Sequence, residues 1–478
     1  MIDVVVVGAG PNGLAAALAL AERGFEVVIF EAADDIGGGT RTRELIVPGV
    51  LHDVCSAVHP FSVISPFLST LRLEDHGLEW CWPEIDLTHP LDGGSAGVLV
   101  RSLDRTAAGL GRDGDAWRRV FGSVARDLPR LTEDVFRPVA HVPKHPIEFA
   151  RFGMRAIQPA TMLARHWNSD GARALFGGVA AHTIHPLDRP LTSAVGVMLI
   201  GAAHHIGWPV ARGGSQSITN AMAARLRELG AQIHTGMPIV SLDELPRSRV
   251  VLLDVAPLHA AEIAGDRLPP RVRRAYRRWR HGPAAFKVDL VVEGGIPWRD
   301  EASGRAGTVH CGGTLEEVAA VERDVYRGRM PANPFVLVSQ QYLADPGRSK
   351  GELHPIWAYA HVPHGYAGDA SQAVIEQIER FAPGFRDCIV GRSVRNVDEL
   401  ERYNANFVGG DILTGANDPM QVAFRPRLAR DPYATGAPGI FLCSAATPPG
   451  PGVHGMCGFN AAQSALRYLR GGSRHDAE

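Results

Sequence analysis

The stretch VVVVGAGPNGLAAALALAERGFEVVIFEAADDIGGGTRTR, residues 4–43, decides the fold of this chain. Its valine run stops at a glycine, which is typical of a buried parallel strand. A helix of small residues follows and ends at Gly24, and FEVVIFEA indicates a second strand. The three pieces predict a strand–helix–strand unit of the Rossmann type.

Gly8, Gly10 and Gly13 form the pattern G-x-G-x-x-G between this strand and this helix. They permit the tight turn, the close approach of a pyrophosphate and the close packing of helix on strand. The phosphates then lie at the helix N-terminus. Glu31, at the end of the second strand, suits the adenosine ribose hydroxyls. The unit therefore predicts a bound dinucleotide. The acid argues against NADP and leaves FAD and NAD open.

A second glycine cluster, residues 37–39, follows the unit directly and leads into Thr40, Arg41 and Arg43. An NAD enzyme has no need of three glycines at this point. FAD is longer on its flavin side and must pass close to more backbone, which glycines permit. Arg41 or Arg43 could offset phosphate charge. The cluster therefore favours FAD.

Further segments repeat the nucleotide-binding pattern. The closing segment GIFLCSAATPPGPGVHGMCGFNAA, residues 439–462, indicates a strand, a proline-glycine loop and a helix. RVVLLDVAP, residues 249–257, indicates another buried strand, and TGMPIVSL, residues 235–242, indicates a further one. The pattern therefore occurs at the start, the middle and the end of the chain.

The combination of these motifs resembles the flavoproteins of the amine-oxidase and phytoene-desaturase superfamily. In that family the second glycine segment lines FAD, and the closing helix points its positive N-terminus at the pyrimidine end of the flavin. The resemblance implies that FAD is the cofactor and that the following residues bind it: Gly8, Gly10, Pro11, Asn12, Gly13, Glu31, Ala32, Gly38, Gly39, Thr40, Arg41, Ile239, Ser444, Gly452, Val453 and His454.

Three segments look most like the phytoene desaturase-related branch of this superfamily. They are GWPVARGGSQSI (207–218), AFKVDLVVEGGIPW (285–298) and GVHGMCGFNAA (452–462). The branch includes carotenoid desaturases, carotenoid isomerases and retinol saturases. It also includes little-characterised pyridine nucleotide-disulfide oxidoreductase domain-containing proteins, and this chain is most similar to that last group.

The composition is that of an ordinary globular protein, with 45% hydrophobic and 21% charged residues. A formal net charge of −2 provides no basic footprint, so no nucleic-acid partner is expected. The six cysteines stand singly, without redox or metal-ligand spacing, so we expect neither a thiol-dependent reductase nor a metal site. Free thiols and the lack of a signal-peptide pattern predict a cytoplasmic protein.

The nucleotide-fold segments are interrupted by two blocks of different character. We therefore predict an α/β fold with a discontinuous Rossmann-type FAD-binding domain over residues 1–75, 206–270 and 425–478. A substrate domain over residues 76–205 and 271–424 is expected to combine a mixed β-sheet with a helical cap.

Two segments raise the question of membrane contact. Residues 191–203, LTSAVGVMLIGAA, are apolar but shorter than the ~20 residues of a membrane span, and they favour a buried helix. The basic run RVRRAYRRWRHG, residues 271–282, favours the solvated face of a helix. Peripheral membrane contact is the alternative for both. The sequence leaves the oligomeric state open.

Lys287 and His454 are the candidates for catalysis. Amine-oxidase relatives carry a lysine on a strand like AFKVDLVVEG, where it holds a water against the flavin. The alternative for Lys287 is a side chain that extends from a sheet edge to solvent. His454 is either a group near the flavin or a helix-start histidine bonded locally. His52 and His59 border the substrate cavity in relatives, or are structural.

The resemblance implies an FAD-dependent oxidoreductase that desaturates or isomerises a small apolar molecule, conjugated in many relatives. Oxygen or a quinone would then accept the electrons. Lys287 motivates one alternative, an amine or amino-acid oxidase, and a carboxylate substrate would also need a buried arginine near the flavin. A second alternative is a flavin-stabilised scaffold without turnover, whose cavity would be packed shut by side chains.

Overall fold

The computed structural model describes residues 2–472. The strands, in chain order, are β1 Ile2–Val7, β2 Val27–Phe30, β3 Thr42–Glu44, β4 Leu51–Asp53, β5 Trp80–Cys81, β6 Ile85–Pro90, β7 Ala96–Leu99, β8 Val210–Ala211, β9 Gln232–His234, β10 Ser248–Leu253, β11 Ala284–Glu293, β12 Ala306–Cys311, β13 Val336–Ser339, β14 Leu353–Val362, β15 Ile389–Arg395 and β16 Ile440–Leu442.

The α-helices are α1 Pro11–Ala21, α2 Pro60–Val63, α3 Leu103–Gly109, α4 Gly114–Arg126, α5 Leu128–Val135, α6 Pro146–Ala156, α7 Ala160–Leu163, α8 Asp170–Ala180, α9 Ser193–Ile206, α10 Gln216–Glu228, α11 Pro257–Ala264, α12 Pro270–Arg277, α13 Leu315–Tyr326, α14 Ser371–Phe381, α15 Val397–Tyr403, α16 Pro419–Ala423 and α17 Met456–Gly472. Short 3₁₀ turns connect several of them.

A five-stranded sheet with the order β16–β10–β1–β2–β9 carries the Rossmann unit. All its pairings are parallel. The strand β1 is central, which explains its valine run, since a parallel strand is covered on both faces. Helices α1, α10 and α17 pack together over one face of this sheet in a single core. The predicted α/β class with a Rossmann-like nucleotide-binding unit is confirmed.

A seven-stranded sheet has the order β15–β11–β14–β13–β12–β6–β7. The pair β12–β6 is parallel and the other neighbours are antiparallel, so the sheet is mixed. Its longest strands, β11 and β14, pair over ten residues. The core formed by helices α4, α5, α8 and α9 packs against this sheet and caps it.

The strands of each sheet fall within the segments proposed for each domain. Every strand of the five-stranded sheet lies within residues 1–75, 206–270 or 425–478, and the seven-stranded sheet lies within 76–205 and 271–424. Residues 473–478 and Met1 lie outside the described residues. The domain boundaries themselves stay a prediction.

The apolar segment near residue 200 forms helix α9, whose residues are mostly buried in the helical core. Within residues 2–472, no helix is both long and apolar enough to cross a membrane. The basic run begins as helix α12, which buries Val272 and Tyr276 while its arginines lie on the outer side. Both segments therefore have the structure that the sequence favours.

One predicted strand is absent. The segment TGMPIVSL runs as a loop, because β9 already ends at His234. The amide of Met237 donates to the backbone oxygen of Glu31 at 2.9 Å, which holds the loop beside the end of β2. The expected strand was therefore wrong, and Ile239 lies in this loop.

Candidate functional site

A cavity of about 770 Å³ extends from the end of β1 to the face of the seven-stranded sheet. We call the end that is bounded by the two glycine segments the nucleotide end. We call the other end, which is bounded by β12, β13, β14 and α9, the chamber. The predicted cofactor residues that line the cavity are Gly8, Gly10, Pro11, Asn12, Glu31, Ala32, Gly38, Gly39, Thr40, Arg41, Ile239, Ser444, Gly452 and Val453.

The first glycine turn is held closed by backbone contacts. A Cβ atom on Gly13 would lie 2.1 Å from the backbone oxygen of Gly8, so a side chain would force the turn open. Gly13 itself lies behind the lining residues, and its amide donates to Asp254 Oδ2 at 2.8 Å. Among the hydrogen bonds of residues 2–472, the amides of Gly10 and Asn12 have no acceptor. They are available to an anion at the start of α1.

The second glycine cluster packs directly on the first. A Cβ atom on Gly38 would lie 3.2 Å from the Cα atom of Gly10, and Gly38 has a φ of 53°. The amide of Gly37 donates to the backbone oxygen of Ala9 at 2.9 Å. Tyr403 donates to the backbone oxygen of Gly38 at 2.7 Å. The quoted stretch therefore builds one continuous backbone cradle from two turns.

Glu31 connects these two turns electrostatically. Its carboxylate accepts hydrogen bonds from the amides of Ala9 at 2.7 Å and Ala33 at 3.0 Å. Arg41 lies 3.4 Å from the same carboxylate and 2.8 Å from a carboxylate oxygen of Asp35. Arg41 is 4% exposed and lines the cavity. Of the two predicted arginines, it is therefore the one placed at the cofactor cradle.

Arg43 does not reach the cavity. Its guanidinium pairs with Asp35 and donates to Gln216 Oε1 at 2.8 Å, outside the lining residues. Arg41 precedes β3 and its side chain folds back toward Glu31 and the backbone of Asp35, whereas Arg43 lies within β3 and reaches Gln216. The sequence pattern alone left this choice open.

Asp254 is a lining residue that sequence reasoning missed. It follows β10 and places its carboxylate against the first glycine turn, where a Cβ atom on Gly10 would lie 3.0 Å from Oδ2. Burial raises the pKa of this carboxyl from 3.8 to about 7, the charge of Glu31 adds to the rise, and the Gly13 amide opposes it. The residue ends the predicted strand RVVLLDVAP, so its position at the carboxyl edge of a parallel sheet was the available signal.

Only some of the predicted site residues in the closing segment, residues 439–462, line the cavity. Ser444, Gly452 and Val453 line the cavity, and the Ser444 hydroxyl is buried without a partner among residues 2–472. His454 does not line it. The His454 ring faces Phe136, with ring centres 5.0 Å apart, and its Nδ1 accepts from the amide of Met456 at 3.0 Å.

His454 is therefore bonded locally at the start of the helix and lies outside the cavity lining, and its contact with the flavin stays a prediction. Burial lowers the pKa of its ring to about 4, so the ring is neutral at pH 7. Gly452 and Val453 line the cavity, and the next side chain turns away.

Lys287 also lies outside the cavity lining. It is 3% exposed and belongs to β11, which lies between β15 and β14, so the sheet-edge alternative is wrong. Its ammonium pairs with Asp289 and lies 5.0 Å from the ring centre of Trp357. Trp357 and Tyr359, which pair with Asp289 and Lys287 across the two strands, line the cavity, whereas Lys287 does not. A catalytic role for Lys287 therefore lacks support from the geometry.

The two histidines after the second glycine cluster have different positions. His59 lines the cavity, and its Nε2 lies 2.7 Å from the hydroxyl of Ser215. His52 lies behind the lining, 3.7 Å from Asp289. Burial lowers the pKa of His59 to about 4 and of His52 to about 3, with Lys287 contributing to the second shift. Both rings are neutral at pH 7.

The chamber is mostly apolar. Its walls come from α9, from the strands β13 and β14 and from the loops around residues 58 and 412. Its apolar and aromatic lining residues are Val58, Phe61, Val195, Leu199, Trp208, Leu337, Trp357, Tyr359, Ile412 and Leu413. These residues are spread over the chain and share no motif, so sequence reasoning could not assemble them.

The charged lining residues lie at the nucleotide end. They are Glu31, Arg41, Asp254, Glu262 and Arg402. Among residues 2–472, no Asp, Glu, Lys or Arg side chain from β12, β13, β14 or α9 lines the cavity. No cluster that could hold a metal ion occurs in the same range. The cavity therefore has a charged end and an uncharged end.

The nucleotide end fits FAD in three respects. Free amides at the start of α1 suit a pyrophosphate, the Glu31 carboxylate suits ribose hydroxyls, and the glycine cradle leaves backbone exposed to a long cofactor. The unpartnered oxygen atoms of Asn12 and Ser444 are further polar groups that a ligand would satisfy. The loop around Ile239 closes the far side.

Comparison with known proteins agrees with this geometry. A family model described as an NAD(P)-binding Rossmann-like domain matches residues 6–69. The chain is 26% identical to pyridine nucleotide-disulfide oxidoreductase domain-containing protein 2 of Mus musculus, over 98% of this chain and 94% of that protein. It is 24% identical to an uncharacterized protein of Mycobacterium tuberculosis, over 98% of this chain and 97% of that protein.

Solved structures of amine oxidases have the same fold. Putrescine oxidase bound to putrescine matches with a TM-score of 0.62 at 18% identity, over 98% of this chain and 99% of that chain. Cyclohexylamine oxidase from Brevibacterium oxydans matches with a TM-score of 0.58 at 17% identity, over 98% and 99%. The chain thus shares its fold with these amine oxidases, and it is similar in sequence to pyridine nucleotide-disulfide oxidoreductase domain-containing proteins.

Proposed function

We propose that this protein is an FAD-dependent oxidoreductase that oxidises an uncharged, largely apolar molecule in the manner of phytoene desaturase-related enzymes. The observation that carries the proposal is the uncharged, apolar chamber that continues from the nucleotide end of the cavity. Binding in such a chamber depends on shape and on burial of apolar surface, with few polar contacts.

Bound FAD would supply the electron sink, accepting a hydride from a carbon of the substrate. The chain provides the cradle: Glu31 and the glycine turns hold the dinucleotide, and Ser444, Gly452 and Val453 lie where the cavity passes toward the chamber. The apolar walls exclude water from the reacting carbon.

Loss of a proton from the neighbouring carbon completes the oxidation. The imidazoles that line the cavity near the chamber, His59 and His182, are neutral, because burial lowers their pKa to about 4 and about 3. Of the two, His59 can accept a proton, since its Nδ1 has no partner among residues 2–472, but it is a weak base. The substrate must therefore be acidic enough to release it, as a conjugated molecule is when the developing charge is delocalised.

Amine oxidation is the second candidate, supported by the fold shared with putrescine and cyclohexylamine oxidases and by the aromatic side chains of Trp357 and Tyr359. The chamber offers no carboxylate to an ammonium group. For a carboxylate substrate, Arg425 is buried but stands behind the lining, and its Nη2 donates to Asn417 at 3.1 Å. These contacts favour the uncharged substrate.

The scaffold alternative expects a cavity filled by side chains, and the open chamber argues against it. Oxygen or a quinone as electron acceptor, and cytoplasmic or peripheral membrane location, stay proposals. A chamber of this kind is compatible with either acceptor, and stopped-flow reoxidation of the reduced protein by each would separate them.

The test is an anaerobic visible titration of the purified yellow protein with two panels, neutral polyenes or enones and primary or secondary amines. Bleaching near 450 nm, the usual flavin band, by the neutral panel is the expected result. Bleaching by amines alone would replace the proposal with the amine-oxidase candidate. A colourless protein that takes up no FAD would contradict both.

A further inference from the structure

The floor of the chamber is one face of the seven-stranded sheet. Thr308 of β12 pairs with Ser339 of β13, and His310 pairs with Leu337. Leu337 pairs in turn with Tyr359 of β14. Residues that pair across strands, or lie two apart within a strand, point to the same face. All of these except His310 line the cavity, so the floor carries a defined row of side chains.

The polar groups of this region differ in whether the protein satisfies them. The Ser339 hydroxyl donates to the backbone oxygen of Gly307 at 3.1 Å, and Trp208 Nε1 donates to the backbone oxygen of Leu199 at 3.2 Å. The Thr308 hydroxyl is buried, with the residue 4% exposed, and has no partner among residues 2–472. A hydroxyl left unpaired in an apolar wall is unfavourable unless a ligand binds it.

A second unsatisfied group stands beside it. His182 lines the cavity, and its Nε2 lies 3.1 Å from Nε2 of His310. Only one proton can lie between these two nitrogens. His310 Nδ1 is buried without a partner, packed on α8 where a Cβ atom on Gly178 would lie 2.8 Å away. A buried N–H without an acceptor is rarer than an unused lone pair.

This rule fixes the tautomers of the pair. His310 carries its proton on Nε2 and donates it to His182, which leaves the His182 proton on Nδ1. Among residues 2–472, His182 Nδ1 has no hydrogen-bond partner. Burial lowers the pKa of both rings, so both are neutral at pH 7. Thr308 lies two residues from His310, roughly 7 Å along β12, and His310 holds His182, so the two free donors lie on neighbouring parts of the cavity wall.

We infer that Thr308 and His182 form a subsite that binds an uncharged acceptor oxygen, a ketone or aldehyde carbonyl, on the substrate. The inference rests on the proposed function, since it takes the chamber as the substrate site, and it narrows the substrate class from hydrocarbons to apolar carbonyl compounds. Two neutral N–H and O–H donors match the lone pairs of a carbonyl oxygen. An ammonium group has no lone pair for the His182 N–H and would leave it unpaired.

The test uses two ligands of the same shape. Benzylideneacetone is a conjugated ketone, and 3-methyl-1-phenyl-1,3-butadiene replaces its carbonyl oxygen with a methylene group. Anaerobic titration of the holoprotein, followed by the perturbation of the bound-flavin spectrum, gives a Kd for each. The quantity of interest is the preference for ketone over diene, because a ratio cancels changes common to both ligands.

The Thr308→Val variant removes the hydroxyl and keeps the shape, and Ser339→Ala is the matched control on the neighbouring strand. We expect the wild-type protein and Ser339→Ala to prefer the ketone, and Thr308→Val to reduce that preference about fivefold. His182→Phe provides a second variant with the same expected direction. Should one variant fail to fold, the other still decides the question.

The outcomes separate the subsite from the proposed function. An unchanged preference in Thr308→Val and His182→Phe overturns the subsite, and so does an equal loss in Ser339→Ala. Tight but unselective binding of both ligands overturns the subsite alone. Failure of both ligands to bind the wild-type holoprotein overturns the subsite and the chamber's role together. Selective binding without flavin reduction by any neutral compound overturns only the proposed reaction.

Discussion

The two ends of the cavity recognise their ligands by opposite means. The nucleotide end is built from backbone, glycines and carboxylates, and its charged lining residues include Glu31, Arg41 and Asp254. The chamber is built from side chains of distant strands and helices, with apolar and neutral polar groups. A cofactor that is always the same can be held by fixed charges. A substrate held by neutral walls is selected by its shape and by a few donors.

The seven-stranded sheet also contains buried charged side chains, and these lie outside the lining of the chamber. Lys287 and Asp289 lie on the same side of the sheet as Trp357 but one strand farther on, and Arg395 lies two strands on; Asp289 is 3.7 Å from His52. They pair with one another there and do not line the cavity. The sheet thus keeps an ionic cluster beside an apolar floor, with the Lys287 ammonium 5.0 Å from the ring centre of Trp357.

The substitution Gly13→Ala is expected to have the largest effect on cofactor binding at the nucleotide end. The new methyl group would lie 2.1 Å from the backbone oxygen of Gly8, so the first turn must open. We expect the purified variant to contain little or no flavin, measured as the ratio of flavin to protein absorbance. Gly153→Ala is the control, because Gly153 lies in α6 with no atom within 4 Å of the added methyl group.

The control variant is expected to keep its flavin and to gain about 0.5–1 kcal/mol in the free energy of unfolding, since alanine suits a helix better than glycine. A Gly13→Ala protein with full flavin content would show that the first turn does not hold the cofactor.

The next largest effect concerns Lys287. Lys287→Met leaves Asp289 buried with a weakened set of partners, so we expect a loss of about 3–5 kcal/mol in the free energy of unfolding. The double variant with Asp289→Leu removes both charges and should recover much of that loss. Urea denaturation of the three proteins measures this.

The same variants test the position of Lys287 relative to the cofactor. Because Lys287 does not line the cavity, we expect the double variant to be reduced and reoxidised at rates close to those of the wild-type protein. A large drop in reoxidation rate by oxygen, with stability restored, would contradict this placement and favour the amine-oxidase candidate.

Asp254 introduces a pH dependence at the nucleotide end. The pKa of its carboxyl group is 3.8 in the unfolded chain and about 7 in the folded protein. Between these two pH values the folded protein keeps a proton that the unfolded chain has released. Stability from this group is therefore greatest at acid pH and falls as pH rises from about 4 to about 7. We expect a loss of about 2–4 kcal/mol across that window.

Asp254→Asn removes this titration. The difference in the free energy of unfolding between variant and wild type should therefore grow in favour of the variant from pH 5 to pH 8, measured by urea denaturation. FAD affinity should follow the same direction, because an ionised carboxylate beside the pyrophosphate position repels it. A difference that does not change with pH would mean that Asp254 is ionised throughout.

The smallest effect belongs to the chamber. Thr308→Val replaces an unpartnered buried hydroxyl, so we expect unchanged or slightly raised stability, within about 1 kcal/mol. Ser339→Ala removes a hydroxyl that donates to Gly307, so we expect a loss of about 0.5–1.5 kcal/mol. Melting temperatures of the two variants compare them directly. The reverse order would show that Thr308 is satisfied in the ligand-free protein.

The nucleotide end could be predicted from the sequence, and the chamber could not. The G-x-G-x-x-G turn, Glu31 and the second glycine cluster are local, and each residue has a physical task that can be read within a span of forty residues. The chamber depends on pairing between β12, β13 and β14, whose register no motif encodes. Thr308, His182 and Tyr359 were missed for that reason.

Two predicted site residues lie outside the cavity lining for a common reason. His454 and Lys287 are close in sequence or in strand position to residues that do face the cavity, but each side chain turns or lies one strand away. Direction of a side chain is set by tertiary packing, which sequence adjacency does not determine. Arg41 and Arg43 are a further example, because they lie two positions apart in sequence and only Arg41 lines the cavity.

The central claim is that the chamber accepts uncharged molecules and rejects cations. Neopentylbenzene and benzyltrimethylammonium have the same shape. The atom that carries the three methyl groups is an uncharged carbon in the first and a positively charged nitrogen in the second. Anaerobic titration of the holoprotein, followed by the flavin spectrum, gives both affinities. We expect neopentylbenzene to bind at least about tenfold more tightly, since the chamber offers no carboxylate to the cation. Equal or tighter binding of the ammonium compound, through the rings of Trp208, Trp357 and Tyr359, would contradict the account.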